Sequence, residues 1–224
     1  MLAQAHRQDA GATARLASLL FFSRPDEGCV LADAIEDLGA SIAVDRNQEI
    51  FCEQEPAGYF YKLTTGLVRT CRFLVDGRRQ INSFHFPGET FGFTSGAVHG
   101  LSAEAAEPCK LIVVKRQVLA SAAARDGELA AALLNSATNE LRKAQEHVVL
   151  LGKGNATERI VAFLRSLACN GTASDILDIP MSRQDIADYL GLTIETVSRT
   201  MTLLEGSGLI ALETSRRLRM RRVM

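Results

Sequence analysis

Between residues 182 and 205, the spacing of apolar residues predicts two short helices joined by a tight turn. The apolar positions recur at helical spacing, as Ile186, Ala187 and Leu190 in the first helix and Val197, Met201 and Leu204 in the second. Ser182 is a suitable N-cap for the first helix, with Asp185 as its reciprocal partner, and Thr193 caps the second. Gly191 supplies the backbone conformation of the turn. The pattern is typical of a helix-turn-helix.

The first turns of the second helix leave four side chains exposed, namely Ile194, Glu195, Ser198 and Arg199. A carboxylate accepts a hydrogen bond from the amino group of cytosine, arginine donates to the two acceptors of guanine, and isoleucine contacts the thymine methyl group. We therefore predict that these residues read base edges in a major groove of double-stranded DNA. The alternative is that Glu195 and Arg199, four residues apart, form only a surface ion pair.

A basic hairpin is predicted behind the second helix. Residues 206–208 end the helix, residues 209–212 alternate as a strand, and residues 214–217 form a turn that ends in two arginines. A wing of this kind lies with its tip on DNA phosphates. The predicted phosphate contacts are Ser182, Arg183, Gln184, Thr196, Arg216 and Arg217.

From residue 41 to residue 115 the pattern changes to short alternating segments separated by turns such as Asp76-Gly77 and Pro87-Gly88. Strands are predicted at residues 42–44, 49–52, 59–64, 66–73, 79–86, 103–107 and 110–115. Many short strands with glycine-containing turns favour an antiparallel roll or barrel. Short helices are predicted on either side of it, at residues 27–34 and 118–124.

A long helix with a narrow apolar seam is predicted after residue 126. The seam positions alternate at spacings of four and three residues, as Ala130, Leu134, Ala137, Leu141, Ala144, Val148 and Leu151. A helix that only covers a domain core carries a wider apolar stripe, whereas the alanines of this seam let two identical helices approach closely. We predict that the seam pairs two copies of the chain. The alternative is a helix docked on its own roll.

Residues 183–199 resemble the winged helix-turn-helix signature of the CRP/FNR superfamily of bacterial transcription regulators. Residues 195–199 resemble the FNR and FixK branch, which carries serine where the cyclic-AMP branch carries glycine. Residues 59–69 and 86–92 resemble the cyclic-nucleotide-binding β-roll of the same family. The resemblance implies an α+β chain with a β-roll sensor-like domain at 1–126, a dimerisation helix at 127–152 and a winged helix-turn-helix DNA-binding domain at 153–224.

The same resemblance implies a homodimer that binds an inverted repeat of the TTGA type. It further implies an activator that recruits RNA polymerase to genes of low-oxygen respiration or nitrogen fixation, without a small-molecule effector. Three alternatives stay open: a repressor, a regulator gated by another ligand in the roll, and a sensor whose C-terminal domain binds proteins.

The distribution of charge agrees with a DNA-binding C-terminal region. The formal net charge is −1, but from residue 153 onward ten Lys and Arg stand against eight Asp and Glu, and the rest of the chain carries −3. The local surplus lies on or beside the wing, at Arg216, Arg217, Arg219, Arg221 and Arg222. The sequence shows neither an apolar run of membrane length nor a targeting leader, and we expect a cytoplasmic protein.

No cofactor is expected. In the family, cyclic nucleotide is held by a second Gly-Glu pair and an Arg-Ser-Ala tripeptide, because a phosphodiester needs a fixed cation and N–H donors. The corresponding positions here read Phe93-Thr94 and Leu101-Ser102-Ala103, and Gly88-Glu89 is interpreted as no more than a turn.

Metal, haem and catalytic chemistry are likewise not expected. Oxygen-sensing relatives hold an iron–sulfur cluster on N-terminal cysteines, where this chain has only Cys29, and a cluster needs about four thiolates. The other cysteines are expected to be buried thiols, with Cys169 a candidate for redox modification. His85 and His99 are interpreted as structural rather than as ligands, and we see no catalytic motif of an enzyme.

Because the cation of the cassette is missing, calorimetry with cyclic AMP should show no heat of binding at micromolar concentrations. Tight, saturable binding would contradict this prediction.

Overall fold

The computed structural model describes residues 30–170 and 176–220. Its first elements are α1 (Val30–Leu38), β1 (Ala40–Val44), β2 (Glu49–Phe51), β3 (Tyr59–Thr65), β4 (Val68–Phe73), β5 (Arg79–His85), β6 (Thr90–Phe91), β7 (Ser102–Ala105) and β8 (Cys109–Lys115). They are followed by α2 (Arg116–Ala123), α3 (Gly127–Leu151), α4 (Ala156–Asn170), β9 (Ile176–Asp178), α5 (Arg183–Leu190), α6 (Ile194–Gly206), β10 (Ile210–Thr214) and β11 (Arg217–Met220). Among these helices, none is long and apolar enough to cross a membrane.

Two four-stranded antiparallel sheets form the roll, in the orders β1-β8-β3-β6 and β2-β7-β4-β5. Apolar side chains from both sheets fill the space between them, including Phe51, Leu63, Val68, Phe91 and Leu111. A second cluster joins α1, α2 and the start of α3 to β3 and β8. The predicted α+β fold class, with a roll, a long helix and a winged helix-turn-helix, is confirmed.

Details of the roll differ from the sequence prediction. The strand β6 is absent from that prediction because two residues are too few to show alternation. The strand β4 begins at Val68 rather than at Gly66, since Gly66 has a φ of +97° and lies in the turn after β3. The first helix extends to Leu38, beyond the predicted end at residue 34, while residues 27–29 lie outside the described residues.

The long helix α3 presents two different faces. Asp126 caps its N-terminus by accepting hydrogen bonds from the amides of Glu128 and Leu129. One face is buried against the same chain through Leu129, Ser136, Lys143, His147 and Leu150. The seam lies on another face, where Leu134, Leu141 and Val148 are 68%, 59% and 69% exposed, Ala130 and Ala137 are exposed, and Ala144 and Leu151 are half-buried. Docking of α3 on its own roll therefore leaves the seam accessible.

The helix-turn-helix consists of α5 and α6. Ser182 and Asp185 form the predicted capping box at the start of α5, and Gly191 ends this helix with a φ of +62°. Thr193 caps α6 by accepting a hydrogen bond from the amide of Thr196. The strands β10 and β11 form the wing, and β9 pairs with β11 to complete a three-stranded sheet.

One apolar cluster extends from the roll into the C-terminal domain. The roll contributes Leu67, Cys71, Ile81 and Phe84, and the C-terminal helices contribute Ile160, Phe163, Ile186, Tyr189, Val197 and Met201. The rings of Phe84 and Tyr189 lie 5.3 Å apart, centroid to centroid. Separation of the two domains would expose this buried surface to water, which is unfavourable.

Replacement of Gly66 by Ala should destabilise the protein by about 2–5 kcal/mol, because both a left-handed backbone and overpacking are involved. A Cβ at Gly66 would lie 2.4 Å from the carbonyl oxygen of Pro108 and 2.7 Å from Cys109 Sγ. Gly77→Ala is the matched control: its φ is +82° but no atom lies within 4 Å of the added Cβ, so about 1–2 kcal/mol is expected. Urea unfolding measures both, and equal losses would contradict the steric argument.

Candidate DNA-binding surface

The helix α6 positions all four predicted base-reading residues on one exposed surface. Val197, Thr200, Met201 and Leu204 form its buried face. Ile194, Glu195, Ser198 and Arg199 are exposed on the first two turns. Because the buried face locks α6 against the domain core, the exposed side chains have a defined direction, as a helix in a major groove requires.

Glu195 is held as a carboxylate. Hydrogen bonds from its own amide and from the Thr193 hydroxyl lower the pKa of Glu195, and the nearby charge of Arg199 acts in the same direction. In the described part of the chain no salt bridge joins Glu195 to Arg199. Both side chains are exposed, and their contact with base edges stays a prediction.

Two of the residues predicted to contact phosphates form hydrogen bonds within the protein. The Ser182 hydroxyl donates to Asp185 Oδ2 at 2.7 Å within the capping box. Arg183 Nη2 donates to the Ser215 carbonyl oxygen in the wing turn at 3.2 Å. Its buried Nη1 has no hydrogen-bond partner among the described residues, and burial lowers the pKa of Arg183. Arg183 thus connects the start of α5 to the wing, with one donor unused.

The wing arginines are paired with carboxylates. Arg216 Nη1 lies 3.3 Å from Glu107 Oε1 of the roll, and Arg217 Nε lies 3.1 Å from Asp178 Oδ1 of β9. Since these pairs are half exposed, a DNA phosphate competes with each carboxylate for its arginine. The sequence pattern could not reveal this competition, because Glu107 is 109 residues from Arg216.

The remaining two predicted phosphate contacts hydrogen-bond within the helix-turn-helix. Gln184 Nε2 donates to Asp188 Oδ1 at 2.6 Å. The hydroxyls of Thr193 and Thr196 lie 3.0 Å apart. Gln184 lies in the first turn of α5, and Thr196 lies in the first turn of α6.

The residues that join the roll to this surface were not predicted from the sequence. Arg69 and Arg79 of the roll form salt bridges with Asp185 and Asp188 of α5. No spacing rule relates them, because Arg69 and Asp185 are 116 residues apart. The sequence offered one indication of such a contact, which is an arginine within a predicted strand of the roll.

The interpretation of Gly88-Glu89 as only a turn is incomplete. Gly88 does form the turn, with a φ of +90°. Glu89, however, is buried, and its Oε1 lies 3.1 Å from Lys143 Nζ of α3. Burial opposes the charge of Lys143, but the carboxylates of Glu89 and Glu140 raise its pKa. This pair fastens the roll to the long helix.

A cavity of about 390 Å³ opens in the roll. Its lining includes Thr70, Arg72, Asn82, His85, His99 and Glu140. Burial lowers the pKa of His85 to about 4, so its ring is neutral, and its Nδ1 has no hydrogen-bond partner among the described residues. Arg72 supplies a cation but is bound to Glu53 and to the Gly100 carbonyl oxygen. His99 stacks on Phe51 with ring centroids 3.7 Å apart.

All three thiols in the described part of the chain have raised pKa values, and two of the three are buried as expected, Cys52 being the exception. Cys71 and Cys109 are buried, and burial raises the pKa of Cys71 to about 11. Cys52 is partly exposed, but a hydrogen bond with Glu49 raises its pKa to about 11. Cys29 and the side chain of Cys169 lie outside the described part of the chain. No group of histidines, cysteines and carboxylates within that part could hold a metal ion.

A β-roll joined by a long helix to a winged helix-turn-helix, whose second helix leaves four side chains exposed, defines a two-domain DNA-binding regulator. Comparison with known families agrees. The Crp family of bacterial regulatory proteins matches residues 179–210, and the cyclic nucleotide-binding domain matches residues 42–126. The chain belongs to the Crp family, and its predicted place in the CRP/FNR superfamily is confirmed.

Curated relatives place the chain in the FixK branch. It is 47% identical to the nitrogen fixation regulation protein FixK of Azorhizobium caulinodans over 201 residues, which cover 88% of this chain and 81% of that protein. It is 44% identical to FixK of Rhizobium meliloti over 169 residues, or 75% and 77% of the two chains. The structure of FixK2 from Bradyrhizobium japonicum matches with a TM-score of 0.79 at 40% identity, over 83% of this chain and 93% of that one.

Replacing Arg199 by Ala should weaken binding to the preferred DNA sequence by about 1–3 kcal/mol and relax discrimination at one base pair. Arg217→Ala, in the wing, is the matched control, with a similar loss on every sequence and a salt dependence reduced by about one charge. Fluorescence anisotropy on duplexes with single base changes measures both. Equal losses on all sequences for Arg199→Ala would make it a phosphate contact.

Proposed function

We propose that the chain acts as a homodimer that binds an inverted repeat of the TTGA type, each protomer presenting α6 to one half-site. The single observation that carries the proposal is the exposed set formed by Ile194, Glu195, Ser198 and Arg199 on the first turns of α6, beside the basic wing. The exposed seam of α3 supports the pairing, because three large apolar side chains left in water favour a partner. Two-fold pairing places half-sites about 34 Å apart on one side of the duplex.

We further propose an activator that recruits RNA polymerase in the cytoplasm, and not an enzyme. The relatives named FixK are nitrogen fixation regulation proteins, and a relative in Pasteurella multocida is named an anaerobic regulatory protein. Their names support control of nitrogen-fixation or low-oxygen respiration genes by this chain. The shared core of the roll and the C-terminal domain supports binding without a small-molecule effector, because the two domains are already packed together.

The second candidate is a regulator gated by a ligand in the roll. The cavity of about 390 Å³, with the unpaired Nδ1 of His85 in its lining, favours it. Such a regulator, whether an activator or a repressor, would bind the repeat only after the ligand is added.

A gel shift with purified protein and an inverted-repeat duplex tests the proposal. Binding without any additive supports the effector-free dimer, and binding only in the presence of a cell extract filtrate supports ligand gating. Failure to distinguish the repeat from scrambled duplex under both conditions would reject sequence-specific regulation by this chain.

The seam is tested separately. Leu141→Glu places a charge in the centre of the seam and should convert the dimer into a monomer that no longer binds the repeat tightly. Val118→Glu, at a 41% exposed position of α2, is the matched control and should leave the dimer intact. Analytical ultracentrifugation measures both, and an unchanged dimer for Leu141→Glu would contradict pairing through the seam.

A further inference from the structure

The first helix of the helix-turn-helix, α5, is held at both ends by residues from outside its own domain. We call the four holding residues the α5 clamp: Arg69, Arg79 and Gln80 from the roll, and His147 from α3. They contact α5 through the carboxylates of Asp185 and Asp188 and through the carbonyl oxygen of Tyr189.

The ionic part of the clamp is buried and contacts Asp185 in the first turn of α5 and Asp188 in the second. Arg79 forks onto two carboxylates, with Nη2 donating to Asp185 Oδ1 at 2.6 Å and Nε donating to Asp188 Oδ2 at 2.9 Å. Arg69 Nη1 donates to the same Asp185 oxygen at 3.1 Å, and Glu104 of β7 accepts a hydrogen bond from each of the two arginines. The side chains of Arg69, Arg79 and Asp185 are only 9%, 17% and 5% exposed.

At the C-terminal part of α5 the clamp is a pair of hydrogen bonds to one carbonyl group. The Tyr189 carbonyl oxygen lies in the last turn, where it has no partner within the helix. It lies 2.8 Å from His147 Nε2 and accepts a hydrogen bond from Gln80 Nε2 at 3.3 Å. The His147 and Tyr189 rings are also stacked, with centroids 4.1 Å apart. Both ends of α5 are therefore fixed relative to the roll and to α3.

The orientation of α5 determines that of α6. Only three residues separate the two helices, and Gly191 fixes the turn with its left-handed backbone. Ile186 and Ala187 of α5 share one buried cluster with Val197 and Met201 of α6. A well-packed pair of helices moves as one body, because interiors are close-packed. Whatever holds α5 against the roll therefore sets the direction of the recognition helix.

A buried ionic cluster is better suited to fixing orientation than to adding stability. Desolvation of buried charges offsets much of their attraction, whereas removal of one partner leaves the others uncompensated. The forked geometry of arginine defines the positions of both carboxylates, which a flexible lysine would not do. The apolar cluster shared by the roll and the C-terminal domain already holds the two domains together. The buried charges therefore select one orientation of the domains among those that bury the apolar surface.

We propose that Arg79 and Arg69 are positioning residues for DNA binding, which fix the direction of α6 and thereby the half-site spacing that the dimer accepts. The inference rests on the proposed binding of an inverted repeat by a homodimer. In that dimer the seam sets the separation of the two protomers, and the clamp sets how each recognition helix leaves its own protomer. Neither arginine needs to contact DNA.

The test compares full-length variants on a series of duplexes. The duplexes carry the selected inverted repeat with its spacer unchanged, shortened by one base pair, or lengthened by one or two, and a single half-site. Arg79→Gln removes the fork and Asp188→Asn removes one of its partners outside the capping box. Arg116→Gln is the matched control, since this arginine donates to the carbonyl oxygens of Gly92 and Thr94 within the roll.

Wild type and Arg116→Gln should bind the altered spacers at least about tenfold more weakly than the natural spacer. Arg79→Gln and Asp188→Asn should lose about tenfold in affinity for the natural spacer, since fewer molecules are correctly oriented. Their discrimination between spacers should fall to about threefold or less. Their affinity for a single half-site should not change, which also shows that the DNA-binding domain is folded.

Two outcomes would overturn the inference. If the variants keep the spacer discrimination of wild type, the clamp does not set the spacing. If their affinity for the single half-site falls as much as that for the repeat, the arginines serve only the folding of α5. A wild-type protein that does not prefer the repeat to a single half-site would instead reject the proposed function.

Discussion

The packing of β5 against α5 is the contact on which the arrangement of the whole chain depends. It combines two different forces: apolar burial around Phe84 and Tyr189, and the ionic layer formed by Arg79 with the carboxylates of α5. Burial has no preferred direction, whereas a forked arginine does. The first force keeps the two domains together and the second defines their angle. The long helix adds a third support through His147, so that the recognition helix is oriented by all three parts of the molecule.

Contacts between arginines and carboxylates also determine the charge of the DNA-binding surface. The chain is close to neutral, and its wing arginines are paired with Glu107 and Asp178 rather than left as free cations. These ion pairs reduce the positive charge that the wing presents to DNA, so that a small number of well-placed contacts carries more of the affinity. This arrangement favours discrimination between sequences over tight binding to any duplex. The affinity for DNA then depends more on the orientation of the recognition helices than on the total charge of the chain.

Local patterns were sufficient to predict the helix-turn-helix, the wing, most strands of the roll and the apolar seam, because each is specified by neighbouring residues. The capping pair Ser182 and Asp185 and the turn at Gly191 are of this kind. The contacts of Arg69, Arg79 and Glu89 were not predictable in the same way. The contacts of Arg69 and Arg79 with Asp185 and of Glu89 with Lys143 each join residues more than fifty positions apart, and a single charged residue does not indicate its partner. The two-residue strand β6 is lost for a simpler reason, since it is too short to show a period.

The two oxygens of Asp185 have separate duties. Oδ2 accepts from the amide and hydroxyl of Ser182, whereas Oδ1 accepts from Arg69 and Arg79. One carboxylate thus caps the start of a helix and also joins two domains. The capping box does not depend on any residue of the roll. A fragment that contains only the C-terminal domain would keep Ser182, the hydrogen-bond donor to Oδ2. It would lack both arginines, so that water would hydrate Oδ1. Because the roll precedes the helix-turn-helix in the chain, it is synthesised first. The capping box can therefore form from local contacts, and the contacts of Oδ1 then orient the helix against a roll that is already present.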